Sequence, residues 1–373
     1  MHISELRTPT VLIDETRVDR NIDRMQAAAD RRGLRLRPHA KTHKSPELAR
    51  RQIGRGAVGV CCAKIGEAEV FADAGIEDIR LPYPINPVNA DRVLPLLDRT
   101  HLSFIVDHMD VARGWSAAMR AARREVDVLV KVDVGFHRCG IDPASAGAAD
   151  FVAGVAALPG LRFRGLLSHA GHAYGASSDA EACAIAEAEA QTLTDLASRV
   201  AALGVRVDEI SVGATPTARF SARQPGLTEL RPGNYIYFDR TQVSLGAATW
   251  DDCALTVLAR VVGRPAADRL ILDCGSKTLT TDLARGGSVA GYGVVLRGID
   301  EPEPDDSLLI ERLSEEHATV RVRDGESALA PGDLVRVVPN HACVVSNLMD
   351  RVWLVRGNEV TAPLEVAARG RIA

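Results

Sequence analysis

The stretch LRLRPHAKTHKSPELAR, residues 34–50, crowds Arg37, His39, Lys41, His43 and Lys44 into eight positions, after an alternating apolar segment and before a helical one. The whole chain carries a net charge of −4, so this basic cluster is local and not part of a phosphate-attracting field. A lysine at a strand end can form a Schiff base with an aldehyde cofactor when its amine is partly deprotonated. Neighbouring cations disfavour a further positive charge and push in that direction. Taken alone, such a run is more simply a solvated basic loop.

A second reactive pair lies far downstream, in PNHAC, residues 339–343. On an extended chain His341 and Cys343 point to the same side, so imidazole and thiolate can share one ion. That donor pair suits zinc first, and it leaves positions open for water and substrate. Standing alone, HxC more often means a core cysteine beside a capped histidine.

Three further segments carry usable groups. LLSHAGHAYG, 166–175, holds His169, His172 and Tyr174. HxxH on a loop without a third partner is a weak metal signal. SVGATPT, 211–217, offers backbone N–H groups and the Thr215 or Thr217 hydroxyl to cup a phosphate, and RPGNY, 231–235, is a second such turn.

The elements that must position these groups follow from periodicity. Strand-like runs occur at 34–37, 57–62, 78–83, 102–107, 126–133, 163–169, 209–213 and 228–232, with helical spacing between most of them. Helices are expected over about 16–31 and 178–203, where Glu189 interrupts the apolar face of the second. Eight βα alternations fit a closed parallel barrel better than an open sheet, and barrel chemistry gathers at the C-terminal strand ends, where Lys41, His169 and the two glycine turns fall. After about residue 240 the texture changes to short strands, 253–263, 268–274, 317–323, 333–338 and 351–356, between turns rich in Gly, Asp and Pro. The expected architecture is α/β, a (β/α)8 TIM-like barrel over 13–240 followed by a mainly β domain over 241–373 that also takes in residues 1–12.

The chain has 373 residues, 46% hydrophobic and 25% charged, enough for two cores. No apolar run approaches the roughly 20 residues of a membrane span, and MHISELRTPT lacks the apolar core of a signal peptide. Seven scattered cysteines form no CxxC pair. A cytoplasmic protein without nucleic-acid or membrane partners is expected.

At this point the chain resembles a known family. An N-terminal barrel, a lysine ending its first strand and a C-terminal β domain look like fold-type III pyridoxal-phosphate enzymes, the alanine racemase group. RPHAKTHKSPELA, GEAEVFADAGI (66–76), RPGNYIYFD (231–239) and PNHACVVSNL (339–348) resemble, more closely, the D-threonine aldolase and D-serine dehydratase family. The resemblance implies pyridoxal 5'-phosphate on Lys41. By the same likeness Arg138 in DVGFHRCG contacts the cofactor's phenolic oxygen, Arg231 faces the pyridine nitrogen, and Gly233, Asn234 and Tyr235 serve the phosphate, with Tyr174 also in the cofactor set. His169 is expected to stack on the ring, and His172 to act as general base near the substrate hydroxyl.

Within that pattern His341 and Cys343 become ligands of a divalent metal, with manganese or magnesium as alternatives to zinc. A Lewis acid on a 3-hydroxyl can assist retro-aldol cleavage to glycine and an aldehyde, or dehydration to a keto acid and ammonia. The D-threonine aldolase reading is placed first. The alternative is a D-serine or D-3-hydroxyaspartate dehydratase, which the cysteine of HxC resembles. Racemisation ranks third, because the racemase tyrosine motif is not seen in the second domain. A non-catalytic cofactor carrier of the same barrel would need neither the second domain nor HxC. LDCGSKTLTTD, 272–282, reads equally as a plain hairpin or, by resemblance, as a loop set near a neighbouring subunit's site, with Ser276, Lys277 and Asp282 as lining candidates. SEEH, 314–317, offers carboxylates that a solvated turn explains better. The resemblance also implies a homodimer acting on small D-amino acids.

Overall fold

A computed structural model describes residues 1–286, 289–325 and 327–373. The first strand, β1 (Thr10–Asp14), ends in an aspartate whose carboxylate accepts from Arg17 N at 3.0 Å and so caps the helix Glu15–Asp30. The barrel strands follow: β2 (Arg35–Leu36), β3 (Val60–Cys61), β4 (Asp78–Pro84), β5 (His101–Val106), β6 (Val126–Lys131), β7 (Leu161–Leu167), β8 (Glu209–Val212) and β9 (Glu229–Leu230). They pair in parallel in the order β2-β9-β8-β7-β6-β5-β4-β3. A parallel bridge between His39 and Cys61 joins the two edges and closes the ring.

Strand alternation sorts the side chains. Phe104, Val128, Val130 and Leu166 face the helices and pack with Trp115, Leu193 and Leu196. Their neighbours Ile105, Leu129 and Leu167 form a small cluster of their own. The buried interior is otherwise ionic. Arg80 on β4 donates to Ser103 at 2.9 Å, to Glu229 at 2.5 Å and to Glu209 at 2.9 Å. Arg37 joins Glu229 at 3.0 Å and also Asp78. Burial alone would raise the Glu229 carboxyl, but the Arg80 and Arg37 guanidiniums hold it down at about 2.

Glu189, on the long helix Asp179–Ala202, is buried because the Ser168 hydroxyl donates to it at 2.5 Å. The break in that helix's apolar stripe is therefore a buried hydrogen bond at the end of β7.

The remaining strands are β10 (Leu255–Ala266), β11 (Arg269–Leu272), β12 (Val294–Val295), β13 (Leu308–Leu313), β14 (Ala318–Val322), β15 (Leu334–Val338), β16 (Arg351–Arg356) and β17 (Glu359–Glu365). The second sheet runs β13-β14-β11-β10-β1-β16-β17, with β15 pairing β10 and β12. β1 pairs antiparallel with β10 and parallel with β16, so the N-terminal strand sits inside this sheet. β13, β17 and the two-residue β12 were not anticipated. No helix is long and apolar enough to cross a membrane among the described residues.

Candidate active site

Lys41 sits on a single 3₁₀ turn, Ala40–Thr42, at the end of β2. That turn is pinned on each side. His39 N donates to Pro232 O at 3.0 Å, and His43 bonds Gln52 at 3.2 Å. The cations of the opening run are separated by the fold. Arg37 pairs with Glu229 and Asp78, Lys44 pairs with Glu67, and His43 is buried. Only His39 and Lys41 of the five reach the cavity, which has a volume of about 740 Å³. Lys41 is exposed into it.

The wall beside Lys41 is built by the ends of β6 to β9. His169 follows β7, and its Nδ1 lies 2.5 Å from Gly213 O. A carbonyl only accepts, so Nδ1 carries the proton and Nε2 is left as an acceptor. Phe136 meets the His169 ring edge-on, with centroids 5.7 Å apart. Burial, then Lys41 and Lys131, push this imidazole well below its ordinary value, so it is neutral. His39 is driven down likewise, by burial and then Lys41 and Arg231. Arg231 is buried and fixed, its Nε donating to Ser211 Oγ at 2.7 Å and its guanidinium also to Ser168 O. Arg138 lines the cavity over the Phe136 ring at 5.1 Å.

The two glycine turns meet here. A Cβ on Gly213 would lie 2.8 Å from the Arg231 carbonyl carbon, and one on Gly233 would lie 3.0 Å from His39 Cβ. Gly213 therefore needs the bare backbone, and Gly233 leaves little room for a side chain. Thr215 is buried in the cavity wall with its hydroxyl unpartnered among the described residues, as is Asn234 Oδ1. A phosphate bound between the turns would satisfy a buried hydroxyl that nothing else reaches.

Not every expected residue lines the cavity. Thr217 is fully buried, and its hydroxyl donates to Ala214 O at 3.3 Å, so it closes the turn from behind. The Tyr235 ring is buried, with its hydroxyl accepting from Gln52 Nε2 at 2.8 Å. His172 lies outside the lining, close enough to Gly135 that a Cβ there would sit 3.6 Å from its ring. Tyr174 does line it.

His341 and Cys343 complete the opposite wall. They do not lie on an extended chain. His341 caps the helix Ala342–Leu348 with φ −144° and ψ 93°, and Cys343 sits in its first turn. Asp239 fixes that geometry, accepting from Ala342 N at 2.9 Å, from Asn234 Nδ2 at 2.6 Å and from Gln242 N at 3.1 Å. Cys343 Sγ lies 3.2 Å from Thr42 Oγ1 and 3.6 Å from Asn234 Nδ2. Burial would raise the thiol, but His341, Lys41 and Thr42 hold it below its usual value. His341 Nδ1 meets Asp282 Oδ2 at 2.6 Å. Burial opposes its charge, yet Cys343, Asp239 and Asp282 lift the imidazole to about 10.

Asp282, a lining candidate in the 272–282 run, lines the cavity of its own chain. Lys277 is elsewhere, paired with Glu315 at 2.8 Å and Glu316 at 2.7 Å, which also uses the SEEH carboxylates. Among the described residues no three His, Cys, Asp or Glu side chains form a closed metal cage. A carboxylate-oriented histidine and a lowered thiol, with open positions, fit a catalytic rather than a structural ion.

Reasoning from sequence missed Asp239, Thr241, Gln242 and Arg285 as wall residues. Only Asp239 carried a legible signal, an aspartate three positions before Gln242 at a helix start.

Comparison with known proteins identifies the family. The alanine racemase N-terminal domain family matches residues 13–241, and the putative serine dehydratase domain family matches 254–355. A D-threonine aldolase of an Arthrobacter species is 35% identical over 99% of this chain and 94% of its own. The D-threo-3-hydroxyaspartate dehydratase of a Delftia species is 34% identical over 91% of each chain. The solved structure of that dehydratase superposes with a TM-score of 0.91, 30% identity and 98% coverage of both chains. The chain therefore belongs to the alanine racemase-like, fold-type III pyridoxal-phosphate enzymes, in the branch that holds the D-threonine aldolases and D-hydroxyaspartate dehydratases.

Proposed function

We propose that this protein is a pyridoxal-phosphate- and metal-dependent lyase that cleaves D-3-hydroxy amino acids by retro-aldol fission to glycine and an aldehyde. The observation that carries this is the contact between Thr42 and Cys343, 3.2 Å apart. It sets the turn of Lys41 against the His341–Cys343 pair, so an imine-forming amine and a metal-type donor pair open into one cavity.

Pyridoxal phosphate bound there would supply an electron sink that weakens bonds at the substrate α-carbon, and a divalent ion would supply a Lewis acid for the 3-hydroxyl. The chain's own residues do the rest. Lys41 holds the cofactor aldehyde. The turns at Gly213–Thr215 and Gly233–Asn234 bind phosphate. Arg231, held by Ser211 and Ser168, would face the bound cofactor, and Arg138 would pair with its anionic oxygen. His341 and Cys343 hold the ion, zinc before manganese or magnesium. His169, neutral and with Nε2 free to accept, is better placed than His172 to take a proton inside the cavity.

Dehydration is the second reading, favoured by the sulfur ligand. A cysteine-to-alanine variant of the Delftia dehydratase is solved in a metal-free form, which supports Cys343 as a ligand here. Seven free cysteines support a reducing, cytoplasmic setting, and the family resemblance supports a homodimer.

Incubation of the cofactor- and metal-loaded protein with D-threonine and with D-serine tests the reading. Glycine plus acetaldehyde supports the aldolase. Keto acid plus ammonia moves the assignment to the dehydratase. Loss of neither substrate sinks both.

A further inference from the structure

The loop Thr281–Arg285 forms part of the cavity wall and is tied to the metal side at two points. Asn340 Nδ2 donates to Asp282 O at 3.0 Å. Arg285 N donates to Thr241 Oγ1 at 3.3 Å, and that hydroxyl donates to Asn340 O at 2.8 Å. Asn340 directly precedes His341, so the loop is hydrogen-bonded to the segment that carries the ion-holding pair. Its last residue places a guanidinium 5.8 Å from the Tyr174 ring centroid.

Among the described residues the Arg285 side chain has no hydrogen bond and no ion pair, although it is exposed on the wall of a cavity. Most of the other wall charges are held within the chain; Arg138, like Arg285, has only an aromatic ring beside it among the described residues. Arg231 is held by Ser168 and Ser211, Asp282 by His341, and Asp239 by Asn234 and two backbone amides. Arg138 lies across the cavity by Phe136, beside His169. Arg285 lies three residues from Asp282, whose carboxylate meets His341, so the loop that orients the ion-holding pair also carries a cation. The first cation on that loop is Arg285.

We propose that Arg285 is a specificity-determining residue that reads the far end of the substrate and favours 3-hydroxy amino acids ending in a carboxylate over those ending in a methyl group. The inference rests on the lyase reading. Its reaction balances as before: the Cα–Cβ bond breaks, the 3-hydroxyl loses its proton as the carbonyl forms, and the electron pair left on Cα takes up a proton. From 3-hydroxyaspartate the products are glycine and glyoxylate, the aldehyde that keeps the distal carboxylate. A guanidinium–carboxylate hydrogen bond at a partly wet site discriminates by about 10-fold or somewhat more.

The test compares the loaded wild-type enzyme with Arg285→Gln and Arg285→Lys. In Arg285→Gln the ratio of kcat/KM for D-3-hydroxyaspartate to that for D-threonine should fall by about 10-fold or more, and Arg285→Lys should recover part of it. A second readout needs no turnover. D-Aspartate and D-alanine lack the 3-hydroxyl, and their affinities can be read from the absorbance of the bound cofactor. Arg285→Gln should weaken D-aspartate selectively. An equal loss for both members of either pair, or loss of cofactor from the purified variant, would overturn the proposal by assigning Arg285 to the α-carboxylate or the phosphate. If the wild type turns over neither hydroxy amino acid, the lyase reading fails separately, and the D-aspartate to D-alanine ratio still decides the role of Arg285.

Discussion

Lys41 is exposed into the cavity, while every cation around it in sequence has been given a partner or buried. Replacing it with alanine should abolish turnover and the visible absorbance of bound cofactor together, and a variant keeping that absorbance would refute the assignment. Asp282 is a subtler case. It touches His341 at 2.6 Å and so fixes the imidazole proposed to hold the ion. Asp282→Asn should reduce metal affinity or activity by about 10- to 100-fold while leaving cofactor content intact. Metal analysis alongside a cofactor spectrum separates the two effects. Cys343→Ala should lower metal content and activity in parallel; undiminished metal would strike Cys343 from the ligand set.

At the scale of elements, the barrel strands carry the cofactor side at their C-terminal ends and a charge network within. Arg80 joins β4 to β5, β8 and β9 through Ser103, Glu209 and Glu229. Cutting one partner from a buried pair leaves the other uncompensated, so Glu229→Gln should cost about 3–5 kcal/mol, measured by denaturant unfolding. The pH dependence has a definite sign. Glu229 is depressed in the folded state to about 2 against an ordinary 4.5. Its contribution is present above pH 4.5 and is lost as pH falls through about 2. His101, at the start of β5, shows the opposite case. Hydrogen bonds to Asp127 and Asp78 raise it from 6.5 to about 9. That stabilisation is full below pH 6.5 and fades as pH rises through about 9, so His101→Gln should flatten the alkaline arm of a Tm–pH profile. Solvent screens this half-exposed pair, so the change should be modest.

Across the whole molecule, the site exists because the second sheet delivers the HxC helix onto the turn that bears Lys41. Asp239 is the joint. Its carboxylate caps Arg240–Ser244, holds Asn234 of the proposed phosphate turn and accepts from Ala342 N beside the proposed metal pair. Asp239→Ala strands buried donors that cost about 1–3 kcal/mol each. It should therefore lower stability and metal content at once, readable in one preparation by thermal unfolding and metal analysis; a stable variant with full metal would show that the joint is not needed.

The eight barrel strands were legible because buried parallel strands read as continuous apolar runs between helices. β13 and β17 were not, because they lie at the two ends of the second sheet, and an edge strand such as β17 is mostly exposed and carries little apolar pattern. By itself the sequence determined the βα alternation, the lysine after RPHA and the pairing of histidine with cysteine in HxC. These are local facts of residue type and spacing. Only the tertiary structure decided that HxC begins a helix, that His172, Thr217 and the Tyr235 ring stand outside the cavity, and that Asp239, Asp282 and Arg285 belong to it. Those placements depend on contacts between segments many tens of residues apart, and no periodicity along the chain encodes which backbone amide or guanidinium a distant carboxylate will meet.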